Sequence, residues 1–114
     1  MVPKVIKIDV EGAELEVIES LKGYIHKFQP IILMEILPSY TEGNQVRIGR
    51  QHTISAMFDE LGYQIYRIIK SPSNNFSHLL TIKNNEIEVH SNIDFCDYIM
   101  ISKEDKNIEG FKIN

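Results

Sequence analysis

The sequence changes from a strand pattern to a helix pattern at Lys7-Ile8-Asp9-Val10-Glu11-Gly12-Ala13-Glu14. The preceding segment Val2–Ile8 is short and rich in Val and Ile, which predicts a β-strand. The apolar residues after the stretch recur at helical spacing: Leu15, Val17, Ile18 and Leu21. The stretch therefore predicts a strand, a polar turn and an amphipathic helix in succession.

Apolar runs and turn residues further along the chain extend this pattern. The helix is expected to meet Gly23 at its C′ position and to continue its apolar face to Phe28, and Pro30 excludes any further helix. Pro30–Leu37 is almost continuously apolar and predicts a strand covered on both faces. Pro38–Gln51 lacks periodicity and is expected to be a long loop.

The second half of the chain predicts one more helix and several strands. A short helix is expected to start at an N-cap at Thr53 and to end at Gly62. The segments that remain are strands near Tyr63–Lys70 and Asp97–Ser102, and a hairpin between them formed by Leu79–Ile82 and Ile87–Val89. The alternation of strands and helices predicts a single α/β domain over residues 1–114, in which residues 103–114 form a charged, mobile tail.

Composition excludes several classes of protein. The 114 residues carry a net charge of −4, so the positive field that favours nucleic acid is missing. The longest apolar run is far below the roughly 20 residues of a membrane span, and neither a membrane partner nor a secretory signal is expected. Cys96 is the single cysteine and the histidines are scattered, so we expect no disulfide, no zinc site and a cytoplasmic location.

The charged residues of the opening stretch have structural as well as functional interpretations. Lys7 and Asp9 share one face of a strand about 6–7 Å apart, yet Lys7 with Glu35 of the next strand forms a buried ion pair in the favoured interpretation. Asp9 and Glu11 are alternatively turn residues. Glu14 is more simply explained as a residue that stabilises the helix N-terminus.

These residues resemble the FkbM family of S-adenosylmethionine-dependent methyltransferases. In that family a fourth strand reads K-x-D-x-E-G-x-E, and a helix and then a strand containing E-I follow; the matching residues here are Lys7, Asp9, Glu11, Gly12, Glu14 and Glu35. The resemblance implies a Rossmann-like class I fold, with a mostly parallel sheet flanked by helices. The alternation of strands and helices predicts that the first three strands are parallel, and the resemblance implies that Asp97–Ser102 inserts antiparallel between the second and third.

The family's opening elements have no counterpart in the sequence. Its methyltransferases begin with a strand, a G-x-G loop and a ribose-binding acidic residue, whereas no two of the six glycines here have G-x-G spacing. The chain therefore resembles the C-terminal half of such an enzyme, from strand four onward. This implies that the complete enzyme uses S-adenosylmethionine as cofactor and that this chain alone binds it weakly or not at all. Its cofactor-binding residues stay unknown.

The resemblance and the loop position together give a set of candidate site residues. Asp9 and Glu11 are the candidates for the base or for alignment of the acceptor, which we expect to be a small-molecule or glycan hydroxyl. The candidates for substrate binding are Lys7, Glu14, Glu35, Tyr40 and His52, and Arg47 and Arg50 lie in the same predicted loop as the last two.

Two other functions fit parts of the sequence. Asp9 and Glu11 resemble the acidic pair of metal-dependent phosphoryl-transfer hydrolases, and the chain is alternatively a non-catalytic α/β interaction module. Val2–Ile8 would lack its neighbouring strand if the chain is a half domain. We therefore expect a homo-oligomer that pairs through this edge.

Overall fold

The structure is a computed structural model that describes residues 5–9, 13–38, 41, 43–73, 75–92, 95–105 and 113. Two helices and five strands make up its regular structure, with one short 3₁₀ turn at Lys83–Asn85. In chain order they are β1 (Val5–Ile8), α1 (Glu14–Phe28), β2 (Ile31–Glu35), α2 (Gln45–Glu60), β3 (Tyr63–Lys70), β4 (Phe76–Thr81) and β5 (Asp97–Ser102). The α/β class predicted from the sequence is confirmed.

The strands form one sheet in the order β1-β2-β5-β3-β4. β1 and β2 are parallel, and β5 is antiparallel to both β2 and β3. The first three strands therefore run in one direction and the last is inserted between the second and third, as predicted. Because β4 is antiparallel to β3, the sheet is mixed rather than mostly parallel.

The first helix extends past Gly23, which was predicted to follow its end. α1 continues through Gly23 to Phe28, and Gln29 adopts the left-handed conformation, with φ of 51°, that ends it. Its backbone N–H donates to the carbonyl of Ile25, and Pro30 follows. The expectation of a C′ glycine was wrong because the apolar face continues past Gly23 and outweighs the modest cost of a glycine inside a helix.

The second helix also starts earlier than expected. α2 begins at Gln45 and takes up much of the predicted loop, and Asn44 caps it by accepting a hydrogen bond from the backbone N–H of Arg47. Thr53 lies inside the helix, where its hydroxyl donates to the carbonyl of Gly49. The start was missed because Val46 of the first turn is exposed and the first turns show no apolar stripe. Gly62 follows the helix with φ of 80°, as expected.

The hairpin occurs earlier in the chain than predicted. β4 returns from β3 through a turn in which the N–H of Ser71 donates to the carbonyl of Asn75 at 2.7 Å. Residues 87–89 form no strand. Instead the buried Asn85 connects this segment to β3, because its side chain accepts from the N–H of Ile65 and donates to the carbonyl of Tyr63, both at 2.8 Å.

Both helices pack on the same face of the sheet. The main core joins apolar residues of α1 and α2 to one face of the strands, among them Ile18, Phe58, Ile32 and Met100. The opposite face carries a smaller cluster around Ile99 that includes no residue of either helix. β2 is consequently fully buried on one face only, which corrects the expectation of a strand covered on both faces.

The ends of the chain are described in part. Residues 2–4 of the predicted first strand lie outside the described residues. Near the other end, Ile113 forms an isolated parallel bridge with Leu79 of β4. Among the described residues, neither helix has the length and apolar character needed to cross a bilayer.

Candidate active site

A cleft of about 190 Å³ lies where β1 and β2 end and β5 begins. Lys7, Asp9 and Glu35 line it together. Ile8 pairs with Met34, so continuing the parallel register by one residue places Asp9 alongside Glu35. Ligands of open α/β sheets bind at this edge, beyond the carboxyl ends of parallel strands. Three of the candidate residues therefore meet in one cleft.

Two charged residues that the sequence did not single out complete the cleft. The ammonium of Lys70, at the end of β3, lies 2.7 Å from a carboxylate oxygen of Asp97, the first residue of β5. Glu35 pairs with Asp97 across the sheet. β5 thus adds a third carboxylate to the cleft, and β3 adds a second lysine. No local pattern predicts this pair, since its members are 27 residues apart.

The expected buried ion pair between Lys7 and Glu35 is absent among the described residues. Lys7 is exposed, because β1 lies at the edge of the described sheet. Its partner in the sheet register is Leu33. Asp9 is exposed as well. Both side chains are therefore open to a ligand in the cleft, and the structural interpretation of Lys7 as one half of a buried pair is wrong.

Glu11 and Tyr40 lie outside the described residues. Within the described ranges, no three His, Cys, Asp or Glu side chains come close enough together to hold a metal ion.

Glu14 lies in a second cavity, of about 320 Å³, between the first turns of α1 and α2. Arg47 and Arg50 line the same cavity. The amide of Gln51 donates to the carbonyl of Leu37 at 3.0 Å and fixes α2 to the segment after β2. The sequence placed the two arginines in a loop, whereas here the helix orients them towards the cavity.

An ion pair joins the two helices beside this cavity. A guanidinium nitrogen of Arg50 lies 2.5 Å from a carboxylate oxygen of Glu16. This hydrogen bond lowers the pKa of Glu16 and raises that of Arg50, and the nearby charge of Glu14 adds to the increase for Arg50. The pair keeps Arg50 at the mouth of the cavity.

His52 lies apart from the other candidates. It is exposed on α2 and lines a different, open cavity together with Asp59 and Glu88, a cavity that includes none of the other candidate site residues. Arg47 and His52 both lie on α2, but their side chains line different cavities.

Arg67 has a role that the sequence pattern did not predict. This residue of β3 is 3% exposed, forms an ion pair with Glu88, and donates to the hydroxyl of Tyr98 at 3.0 Å and to the carbonyl of Phe95 at 3.1 Å. Its guanidinium also lies over the rings of Phe95 and Tyr98. The one indication in the sequence was that Arg67 occupies an inward-facing position of the alternating strand β3. Arg67 fixes the irregular segment that leads into β5.

A model of the family described as the methyltransferase FkbM domain matches residues 2–68, which is more than half of the chain. The chain belongs to the FkbM methyltransferase family. The match runs from β1 almost to the end of β3, and it contains Lys7, Asp9, Glu14 and Glu35. Comparison with curated proteins found no match, and comparison with solved structures found none.

The environment of His90 predicts a pH-dependent stability. Burial, and then the charge of Arg67, lower the pKa of His90 although Glu88 opposes the shift. Below the unfolded value of about 6.5 the unfolded chain then binds more protons than the folded chain. The stability that neutral His90 contributes is therefore fully present above about pH 6.5 and is lost as the pH falls through the lowered pKa of His90.

Urea unfolding at pH 7, 6 and 5 measures this effect. We expect His90→Gln to lose less stability than the original chain between pH 7 and pH 5. The control His26→Gln, at an exposed position of α1, should keep the original slope. An unchanged slope in His90→Gln would contradict the assignment.

Proposed function

We propose that the chain forms the second half of an S-adenosylmethionine-dependent methyltransferase domain that methylates a hydroxyl of a small molecule or glycan. The observation that carries this proposal is the meeting of Lys7, Asp9 and Glu35 in one cleft at the carboxyl ends of β1 and β2. That cleft is at the edge of the sheet where such folds bind ligands, and these three residues lie inside the region that matches the family.

The open sides of the sheet support the half-domain interpretation. β1 is at one edge of the sheet and has β2 as its single neighbour among the described strands. The face opposite the helices carries apolar residues that neither helix covers, such as Leu33 and Ile68. Further strands beside β1 and helices on this face would complete a two-sided Rossmann-like domain. The G-x-G loop that the sequence lacks would belong to those added strands.

The chemistry requires little of this half. The acceptor oxygen must align with the methyl group and lose its proton. Asp9 follows β1 directly and is exposed at the cleft, so its carboxylate is the first candidate to accept that proton, with Glu11 as the second. Lys7 and Glu35 are placed to orient the acceptor by hydrogen bonds. S-adenosylmethionine, when bound in the complete domain, supplies the methyl group.

Replacing Asp9 tests this assignment in a complete protein that contains the segment. Asp9→Asn keeps the shape of the side chain but removes the base, so turnover should fall by at least about 100-fold while cofactor affinity changes little. Glu19→Gln, exposed on α1, is the matched control and should leave both unchanged. Unchanged turnover in Asp9→Asn would contradict the assignment of Asp9 as the base and would leave it the role of a turn residue.

Calorimetry on the chain alone tests the half-domain interpretation. We expect the dissociation constant for S-adenosylmethionine to exceed about 1 mM, because the glycine loop and the ribose carboxylate lie on strands that this sequence does not contain. Micromolar binding would contradict that interpretation.

We further propose that the chain alone assembles through the open edge of β1. An edge strand presents unpaired N–H and C=O groups, and a second copy can satisfy them by strand pairing. Light scattering should give a dimer or larger species at tens of micromolar. Val5 is 50% exposed on this strand, so Val5→Lys should weaken the assembly. A stable monomer at that concentration would refute the proposal.

A further inference from the structure

A groove of about 670 Å³, here called the α2 groove, lies between α2 and residues 84–89. The helix contributes His52, Ser55, Ala56 and Asp59, which recur at the three- and four-residue spacing of one helix face. From the first of these residues to the last, the helix rises by about 10 Å. The groove shares no residue with the cleft that holds Asp9, so it is separate from the site of the proposed methyl transfer.

Ser55 gives the α2 groove a polar group without a partner. The residue is 9% exposed, and its hydroxyl has no hydrogen-bond partner among the described residues. A serine inside a helix can donate to the carbonyl four residues earlier, but Ser55 does not bond to Gln51 in this way. A buried hydroxyl without a hydrogen bond costs free energy. A ligand with a polar group that reaches this hydroxyl is therefore favoured.

The opposite wall of the α2 groove has backbone groups that are not paired. Glu86 is extended, with φ of −91° and ψ of 100°. Within the described part of the chain, the backbone groups of Ile87 and Val89 make no hydrogen bond. Free N–H and C=O groups of extended backbone can pair with an added strand, which is a recurring way to recognise peptides. Three extended residues span about 10 Å, which matches the length of the helix face.

The charged residues of the α2 groove are acidic: Asp59, Glu86 and Glu88. Cations outside the lining offset two of them, because the ammonium of Lys103 lies 3.8 Å from Asp59 and Arg67 pairs with Glu88. Glu86 is exposed and forms no ion pair within the described ranges. No lysine or arginine of the described chain lines the groove itself. The groove therefore complements a positively charged partner.

Apolar surface lies beside these carboxylates. Val89 is 38% exposed, and Ala56 is exposed on the facing helix. The aliphatic stem of a lysine packs on such surface while its ammonium reaches a carboxylate. This combination favours lysine side chains over a small inorganic cation.

We propose that the α2 groove binds an extended, lysine-rich segment of a partner protein. The backbone of the segment pairs with Ile87 and Val89. Its ammonium groups contact Glu86 and Asp59, and a polar group of the segment completes the hydrogen bonding of Ser55. The proposal adds an interaction surface to the chain and does not depend on the methyltransferase reaction.

Titration of the full chain with synthetic peptides, followed by NMR shifts, tests the proposal. The probe is acetyl-Lys-Val-Lys-Val-Lys-amide in about 20 mM salt, where charge attraction is weakly screened. We expect a dissociation constant of about 0.1 to 1 mM and shifts at the amides of Ile87 and Val89. The matched acidic peptide, acetyl-Glu-Val-Glu-Val-Glu-amide, should not bind. Spermidine, which has positive charges but no peptide backbone, should bind at least about 5-fold more weakly.

Methylated peptides test the strand pairing. One version of the basic peptide is methylated at the backbone nitrogens of its valines and another at those of its lysines, since alternate N–H groups of a strand point to opposite sides. Both versions keep every charge. One of the two should bind at least about 10-fold more weakly than the original peptide, because it lacks the donors that face the groove. Equal binding by all three peptides would overturn the proposal.

Variants of the chain identify the groove. Ala56→Arg, at an exposed helix position, fills the groove and adds a positive charge, so the basic peptide should no longer bind. Glu86→Gln should weaken binding at least about 5-fold, and Ser55→Ala at least about 3-fold. Glu60→Gln removes an exposed carboxylate of the same helix outside the groove, and this matched control should bind as the original chain does.

Circular dichroism checks that each variant folds. If the buried change Ser55→Ala unfolds the chain, the two variants at exposed positions, Ala56→Arg and Glu86→Gln, decide the outcome. Peptide binding that is equal in the original chain and in these two variants would overturn the proposal. Failure of the basic peptide to bind, equal binding by the acidic peptide, or equal binding by spermidine would overturn it as well.

Discussion

The pairing of β5 with strands on both of its sides is the interaction on which the rest of the structure depends. Met100 lies opposite Ile32 of β2 and opposite Ile65 of β3, and none of the three is exposed. β2 and β3 do not pair with each other, so β5 provides the hydrogen bonds that hold them in one sheet. The central position of β5 also buries apolar side chains on both faces of the sheet, including Met100 and Ile101.

The position of β5 also determines the candidate site. Asp97 begins the strand next to Glu35, where β2 ends, so the reversed strand brings a carboxylate to the edge at which β1 and β2 present theirs. Arg67 reinforces this arrangement, because it contacts Tyr98 of β5 and Phe95 in the segment that leads into the strand, and so fixes where β5 enters the sheet. Side chains of four strands therefore converge on a cleft that no single segment of sequence specifies.

Local patterns predicted four of the five strands well, but they misplaced the hairpin and missed most long-range features. The β-rich run Asp97–Ser102 was recognisable, and the family resemblance gave its place between two other strands. The start of α2 was missed because its cap, Asn44, precedes a polar turn that has no periodic signal. The burial of Glu14 and the contacts of Arg67 arise from residues that are distant in sequence. Its position in the sequence predicted a helix-terminal role for Glu14, whereas the cavity around Glu14 follows from the packing of α1 against α2.

Amide hydrogen exchange compares β5 with β4 and tests the central role of β5 most directly. β4 lies at the far edge of the sheet, whereas β5 has neighbours on both sides. Amides of Tyr98–Ile101 should exchange only through global unfolding, with a free energy equal to that from urea denaturation, whereas those of β4 should exchange much faster through local opening. Equal exchange rates in the two strands would contradict the account.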